Sequence, residues 1–70
     1  MVDKQILKLS KLCEHWANHN ETHKESFIKW RDIARERRNL LTVVEKLDKA
    51  IEMMDKCTEF LLSARKDLEI

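Results

Sequence analysis

The chain has 70 residues with no glycine and no proline, and its 14 Lys and Arg against 13 Asp and Glu give a formal net charge of +1. Strand hairpins depend on residues that take positive φ, above all glycine, so this composition favours an all-α protein. The balanced charge does not favour nucleic acid as a partner, and no stretch approaches the roughly 18 apolar residues of a membrane span. Asp3 and Lys4 interrupt any apolar run at the start, which disfavours a signal peptide and makes the cytoplasm the expected compartment.

A first long helix is predicted over residues 3–38. A heptad seam, with alternating steps of three and four, runs along it and is apolar except at Asn20 and His23. Its positions are Ile6, Leu9, Cys13, Trp16, Asn20, His23, Phe27, Trp30 and Ala34. Two capping-box patterns, Asn18-x-x-Glu21 and Thr22-x-x-Glu25, would allow a break near residues 18–22 and therefore three helices. We favour one continuous helix, because the seam stays in phase and neither glycine nor proline interrupts it.

A turn over residues 39–42 and a second helix over 43–68 complete a single domain, 1–70. Asn39 is expected to take the left-handed conformation that ends helices, and Thr42-Val43-Val44-Glu45 forms a capping box that predicts a new helix start. A seven-residue repeat follows, carried by Leu40, Leu47, Met54, Leu61 and Leu68. Because the turn is short, the helices should form an antiparallel hairpin.

The small size of the chain predicts a partner surface. Domains of this size often need a metal ion or a second subunit to offset conformational entropy. We therefore expect a homodimer that forms a four-helix bundle, with a different protein partner as the other possibility.

The three histidines, His15, His19 and His23, follow one another at four-residue intervals and share one helix face. In an antiparallel hairpin turning near residue 40, Cys57 lies at the depth of His23. Imidazole and thiolate are ordinary ligands of nickel, zinc and copper, so His19, His23 and Cys57 form the candidate metal cluster. His15 is too far along the helix to share the same ion and is assigned to another site or another chain. Cys13 is predicted many turns from Cys57, which excludes a disulfide between them.

A resemblance supports the histidine motif. It rests on His15-Trp16-x-x-His19-Asn20-x-x-His23 and the following Phe27-x-x-Trp30. These residues resemble small uncharacterised helical proteins of anaerobic archaea and bacteria, in which an H-W-x-x-H-N-x-x-H helix precedes a second amphipathic helix. The resemblance covers most of the chain and implies metal handling without implying a reaction.

Two functions are favoured by these patterns. The first is a small metal-binding module for storage, delivery or sensing of a transition metal. The alternative is a structural or protein-interaction bundle in which Asn20 and His23 form a buried polar layer that fixes register and binds no ligand. Catalysis is less favoured than either, because the sequence offers no serine–histidine–acid set, phosphate loop or buried carboxylate pair, and only an imidazole could act as general base.

Overall fold

A computed structural model describes residues 3–68 as two long helices joined by a short turn. Helix α1 spans Lys4–Arg35, a 3-10 turn spans Arg38–Leu40, and helix α2 spans Leu41–Asp67. The two helices pack against each other, and no strand occurs among residues 3–68. The all-α hairpin is confirmed, and α1 is continuous through residues 18–22. Residues 1–2 and 69–70 of the predicted domain lie outside the described part.

The helix ends differ from the predicted ones by one to three residues. At the start, the Asp3 carboxylate caps α1 by accepting a 2.8 Å hydrogen bond from the Gln5 backbone N–H. At the turn, α1 ends at Arg35 and α2 already begins at Leu41, so the predicted capping box at Thr42 is wrong. The left-handed Asn39 is also wrong, since no residue from 3 to 68 has positive φ. The chain reverses instead through an extended Arg37, with φ −116° and ψ 121°, followed by the 3-10 turn.

Three ion pairs between the helices fix their antiparallel register. The residue numbers in each pair add to the same total, so the two helices stay in step over most of the hairpin. The pairs are Glu14–Arg65 at 3.2 Å, Lys24–Asp55 at 2.6 Å and Arg31–Asp48 at 3.1 Å. All three lie on one side of the hairpin.

The surface of α1 that faces α2 is not the predicted seam. It runs through Ile6, Ser10, Cys13, Ala17, Asn20, Lys24, Phe27, Arg31 and Ala34, of which Cys13, Ala17 and Ala34 are buried. Leu9, Trp16, His23 and Trp30 of the predicted seam do not face α2 and are exposed in the single chain. The physical reason is that small Ser10 and Ala17 permit close helix approach while Lys24 and Arg31 reach carboxylates on α2. The contact surface is thereby rotated by about 50° around α1.

This rotation leaves one side of the hairpin apolar and open, opposite the ion pairs. Trp30 is 58% exposed there and Phe60 is 74% exposed. At 100° per residue, the exposed flanks of α1 and α2 fall on the same side, and the contact between Asn20 and Cys57 lies along it. We call this surface the apolar face; it comprises Leu9, Leu12, Trp16, His19, His23, Trp30 and Ile33 of α1 and Ala50, Met53, Cys57, Phe60 and Ala64 of α2.

The hairpin is a thin rod with extents of 59 × 15 × 11 Å. Within residues 3–68, no large side chain is completely buried. Nor does this part of the chain contain a helix with the length and apolar character needed to cross a membrane.

Candidate metal site

His19 and His23 lie one turn apart on α1 with their rings in direct contact. Their Nε2 atoms are 2.9 Å apart, and the rings meet edge to face with centroids separated by 4.5 Å. Both side chains are exposed on the apolar face. At that distance one Nε2–H donates to the other Nε2, which accepts through its lone pair. The four-residue spacing therefore produces a convergent pair of ring nitrogens.

The separation of the two nitrogens suits a shared metal ion. With metal–nitrogen bonds of about 2.0–2.1 Å, two ligands at a right angle are about 2.9 Å apart, and two tetrahedral ligands about 3.3 Å apart. The observed separation of 2.9 Å matches that of ligands at a right angle. The two nitrogens would have to move only slightly apart to become tetrahedral ligands. Both Nε2 atoms must present lone pairs to the ion, so the proton between them must leave and each neutral ring must carry its proton on Nδ1.

His15 extends the row of rings but lies outside the pair. Its ring stacks parallel to that of His19 at 6.1 Å between centroids, and on the other side His23 stacks on Phe27 at 6.3 Å. His15 also borders a shallow depression of about 480 Å³, whose other lining residues are Lys4, Leu7, Lys8, Lys11 and Leu12. Three lysines beside His15 disfavour a cation there.

Cys57 lies on the same face as the histidine pair but is engaged by another residue. The Asn20 side-chain amide donates a 3.3 Å hydrogen bond to the Cys57 Sγ. The neighbouring Thr58 Oγ1 is buried without a hydrogen-bond partner. Of the predicted polar layer, Asn20 is half-buried between the helices, whereas His23 is exposed and lies outside the contact between them.

The two thiols are free, as predicted, and differ in exposure. Cys13 is buried between the helices and Cys57 is exposed. Cys57 is exposed because the rotation of α1 leaves this flank of α2 uncovered.

A single chain supplies an incomplete ligand set. Over residues 3–68, no three His, Cys, Asp or Glu side chains are grouped so that they could hold one metal ion. The structure brings His19 and His23 together and places Cys57 and His15 nearby on the surface without joining them to the pair. Any further ligands must come from water, from a side-chain movement or from a second chain.

Lys24 follows His23 in the chain, and its positive charge is neutralised by Asp55. A hydrogen bond with Asp55 is the main cause that raises the pKa of Lys24 above its ordinary 10.5, and attraction to Asp55 and Glu21 adds to it. Lys24 is directed toward the ion-pair side of the hairpin, away from the apolar face. Its charge is thus offset by a carboxylate and turned away from the His19–His23 pair.

Sequence reasoning overlooked Phe60, an exposed aromatic side chain on the apolar face. The available signal was a second stripe on α2, offset from the leucine repeat, in which Phe60 follows Cys57 by three residues and precedes Ala64 by four. Such a second stripe indicates a helix with two neighbours rather than one.

Comparison with known proteins identifies the family. No curated protein and no solved structure matches the chain. Residues 9–68 match the family model described as Domain of unknown function (DUF8180), and they include most of α1, all of α2 and all three histidines. The chain therefore belongs to the DUF8180 family.

Proposed function

We propose that this domain binds a transition metal ion through the Nε2 atoms of His19 and His23. The observation that carries the proposal is the convergence of these two exposed nitrogens at 2.9 Å. Imidazole nitrogen suits zinc, copper and nickel, and the right-angled separation is compatible with the tetragonal sites of copper(II) and nickel(II) as well as with zinc. Cys57 is the candidate additional ligand on the same face, whereas His15, farther along α1, would serve another site or another chain.

An exposed, incompletely ligated pair fits metal exchange better than a permanent structural role. Structural zinc sites are usually closed by four protein ligands, whereas this pair leaves positions open to water or to another ligand. That openness supports storage, delivery or sensing. A cytoplasmic setting belongs to the proposal, because a thiol such as Cys57 stays available as a ligand only under reducing conditions.

Metal titration by calorimetry tests the proposal, using tag-free protein with nickel, zinc and copper(II). The His19→Ala and His23→Ala variants should each lose at least about tenfold in affinity, because loss of even an outer partner of a ligand costs about 10–100-fold. His15→Ala is the matched control, since it removes the same side chain from the same helix, and it should change affinity little. Equal binding by the wild type and the His19→Ala/His23→Ala double variant would overturn the assignment.

The exposed apolar face favours a second candidate function, a structural or protein-interaction module. Contiguous apolar patches on a small protein mark interaction sites, and here Trp30 and Phe60 are largely exposed. Under this alternative, the His19–His23 contact serves only packing within an assembly. His23→Leu would then leave metal affinity at the weak level of the wild type while assembly persisted or strengthened.

A further inference from the structure

We propose that a second copy of this chain covers the apolar face, with the two α1 helices antiparallel, and that this dimer joins two His19–His23 pairs into one metal site. The assembly rests on the apolar face, and the shared metal site rests on the proposed function. Three independent features support it: the pattern on α1, the pattern on α2, and the area of the face.

The residues of α1 on the apolar face, together with Ser26, have the same spacing in either direction along the helix. They alternate steps of three and four from residue 9 to residue 33, and the series is centred on the level of Glu21. An antiparallel second α1 centred there would pair Leu9 with Ile33, Leu12 with Trp30, Trp16 with Ser26, and His19 with His23. Each apolar residue then meets an apolar one, except that bulky Trp16 meets small Ser26, which leaves room for the ring.

Helix α2 independently gives the same centre to within about half a residue, or about 0.8 Å along the axis. The ion pairs of the hairpin place Thr58 at the level of Glu21, because both residues lie in the register defined by Lys24–Asp55. A two-fold axis at that level sets Phe60 against Cys57 of the other copy and Met53 against Ala64. Again each large side chain opposes a small one, so one axis position satisfies both helices.

The face has the area that a stable interface needs. The face runs from Leu9 to Ile33, about 36 Å at 1.5 Å per residue, and the rod is 15 Å wide. Two copies would therefore bury on the order of 1,100 Å² in total, above the roughly 1,000 Å² expected of a specific interface. Trp30 and Phe60, 58% and 74% exposed in one chain, would supply large apolar contacts. A second copy is also the occupant whose own pattern matches the face position by position.

The dimer would complete the ligand set that one chain lacks. His19 of each copy would lie in the same layer as His23 of the other, on both sides of the two-fold axis. Four imidazole nitrogens would then surround one point and supply the four ligands of a zinc ion. The positions left open in the single chain would be closed in the dimer, so metal exchange would require the two chains to separate. The predicted stoichiometry is one ion per two chains.

The first test breaks the interface without touching the histidines. Phe60→Glu removes an exposed side chain of the apolar face, and Leu62→Glu is its matched control on the opposite side, where Leu62 is 46% exposed. In sedimentation equilibrium, wild type and Leu62→Glu should be dimers, and Phe60→Glu should associate at least about tenfold more weakly. Far-UV circular dichroism should show equal helicity. A wild type that stays monomeric with zinc present, or a Leu62→Glu variant as disrupted as Phe60→Glu, would overturn the dimer.

Lysine cross-linking with a short reagent tests the orientation. Lys8 and Lys29 are about 32 Å apart along one helix at 1.5 Å per residue, too far for a link within one chain. In the antiparallel dimer, Lys29 of the second copy lies only about 8 Å along the axis from Lys8. A Lys8–Lys29 link between chains should form in wild type and disappear in Phe60→Glu. Links joining Lys8 to Lys8 instead would indicate a parallel pair and refute the register.

Metal stoichiometry separates failure of this inference from failure of the proposed function. Wild type should bind one zinc ion per two chains, and Phe60→Glu should bind at least about tenfold more weakly because each ion loses half of its imidazoles. If both proteins bind one ion per chain equally well, the shared site is wrong and the proposed function stands. If His19→Ala/His23→Ala binds as wild type does, the proposed function fails, while sedimentation still decides the dimer.

Discussion

The neighbouring valines Val43 and Val44 test most directly which flank of α2 packs against α1, because the same substitution can be made at a buried and an exposed position of one helical turn. Val44 is 8% exposed and faces α1, whereas Val43 is 41% exposed on the open flank. Shortening valine to alanine removes two carbon groups worth about 0.8 kcal/mol each when buried, and a cavity at a packed site adds to this cost. Alanine regains about 0.5 kcal/mol of helix propensity at either position.

The expected loss in the free energy of unfolding is about 1–2 kcal/mol for Val44→Ala and below about 0.5 kcal/mol for Val43→Ala. Urea denaturation followed by far-UV circular dichroism, at one fixed protein concentration, measures both. The urea dependence of the free energy should be the same in the two variants, so that the midpoints are comparable. Equal losses, or a larger loss for Val43→Ala, would mean that α2 presents the other flank to α1 and would refute the described packing.

Two further predictions concern the thiols and the response to acid. In dilute Phe60→Glu protein, Cys57 should react with a thiol reagent under native conditions while Cys13 reacts only after unfolding, and mass spectrometry of labelled peptides showing the reverse order would contradict the described burial. A hydrogen bond from Lys49, with attraction from Lys49 and Lys56, lowers the pKa of Glu52 below 4.5. The ion pair of Glu52 therefore stabilises the fold at pH values above 4.5. This stabilisation is lost as the pH falls through the lowered pKa of Glu52. Wild type should exceed Glu52→Gln in urea midpoint at neutral pH, and the gap should narrow as the pH falls below 4.5; a gap independent of pH would rule this ion pair out as its cause.

The fold could be predicted from sequence because α2 carries only one dominant apolar repeat. The repeat through Leu47, Met54 and Leu61 predicts a long amphipathic helix, and in the structure these three residues are half-buried against α1. The side of α1 that packs against α2 is harder to predict, because Cys13 and Phe27 belong equally to two possible seams. The bulkier apolar residues, including Trp16, mark one seam, but close packing by small residues and ion pairing decides for the other. A period alone does not say which of two apolar stripes meets the nearer neighbour.

The candidate site was predictable in its spacing and not in its ring geometry. Four-residue separation dictates that His19 and His23 are neighbours on a helix. The direction of each ring depends on a terminal torsion with a broad energy minimum, so the convergence of the Nε2 atoms is visible only in the structure. The level of Cys57 followed from antiparallel register, but its exposure depended on the rotation of α1, which the sequence left undetermined.

The rod shape of the hairpin has a consequence for how its backbone amides exchange with solvent. With extents of only 15 and 11 Å across, the molecule is two helices wide and has no interior layer that must open as a unit. Each turn is held by the turn opposite and by those directly above and below it, so opening can spread inward from the end farthest from the connection. Hydrogen exchange should therefore slow progressively from Lys4 and Asp67 toward the chain reversal at Arg37. Assembly through the apolar face would replace that gradient with a maximum of protection at mid-length, near His19 and Cys57.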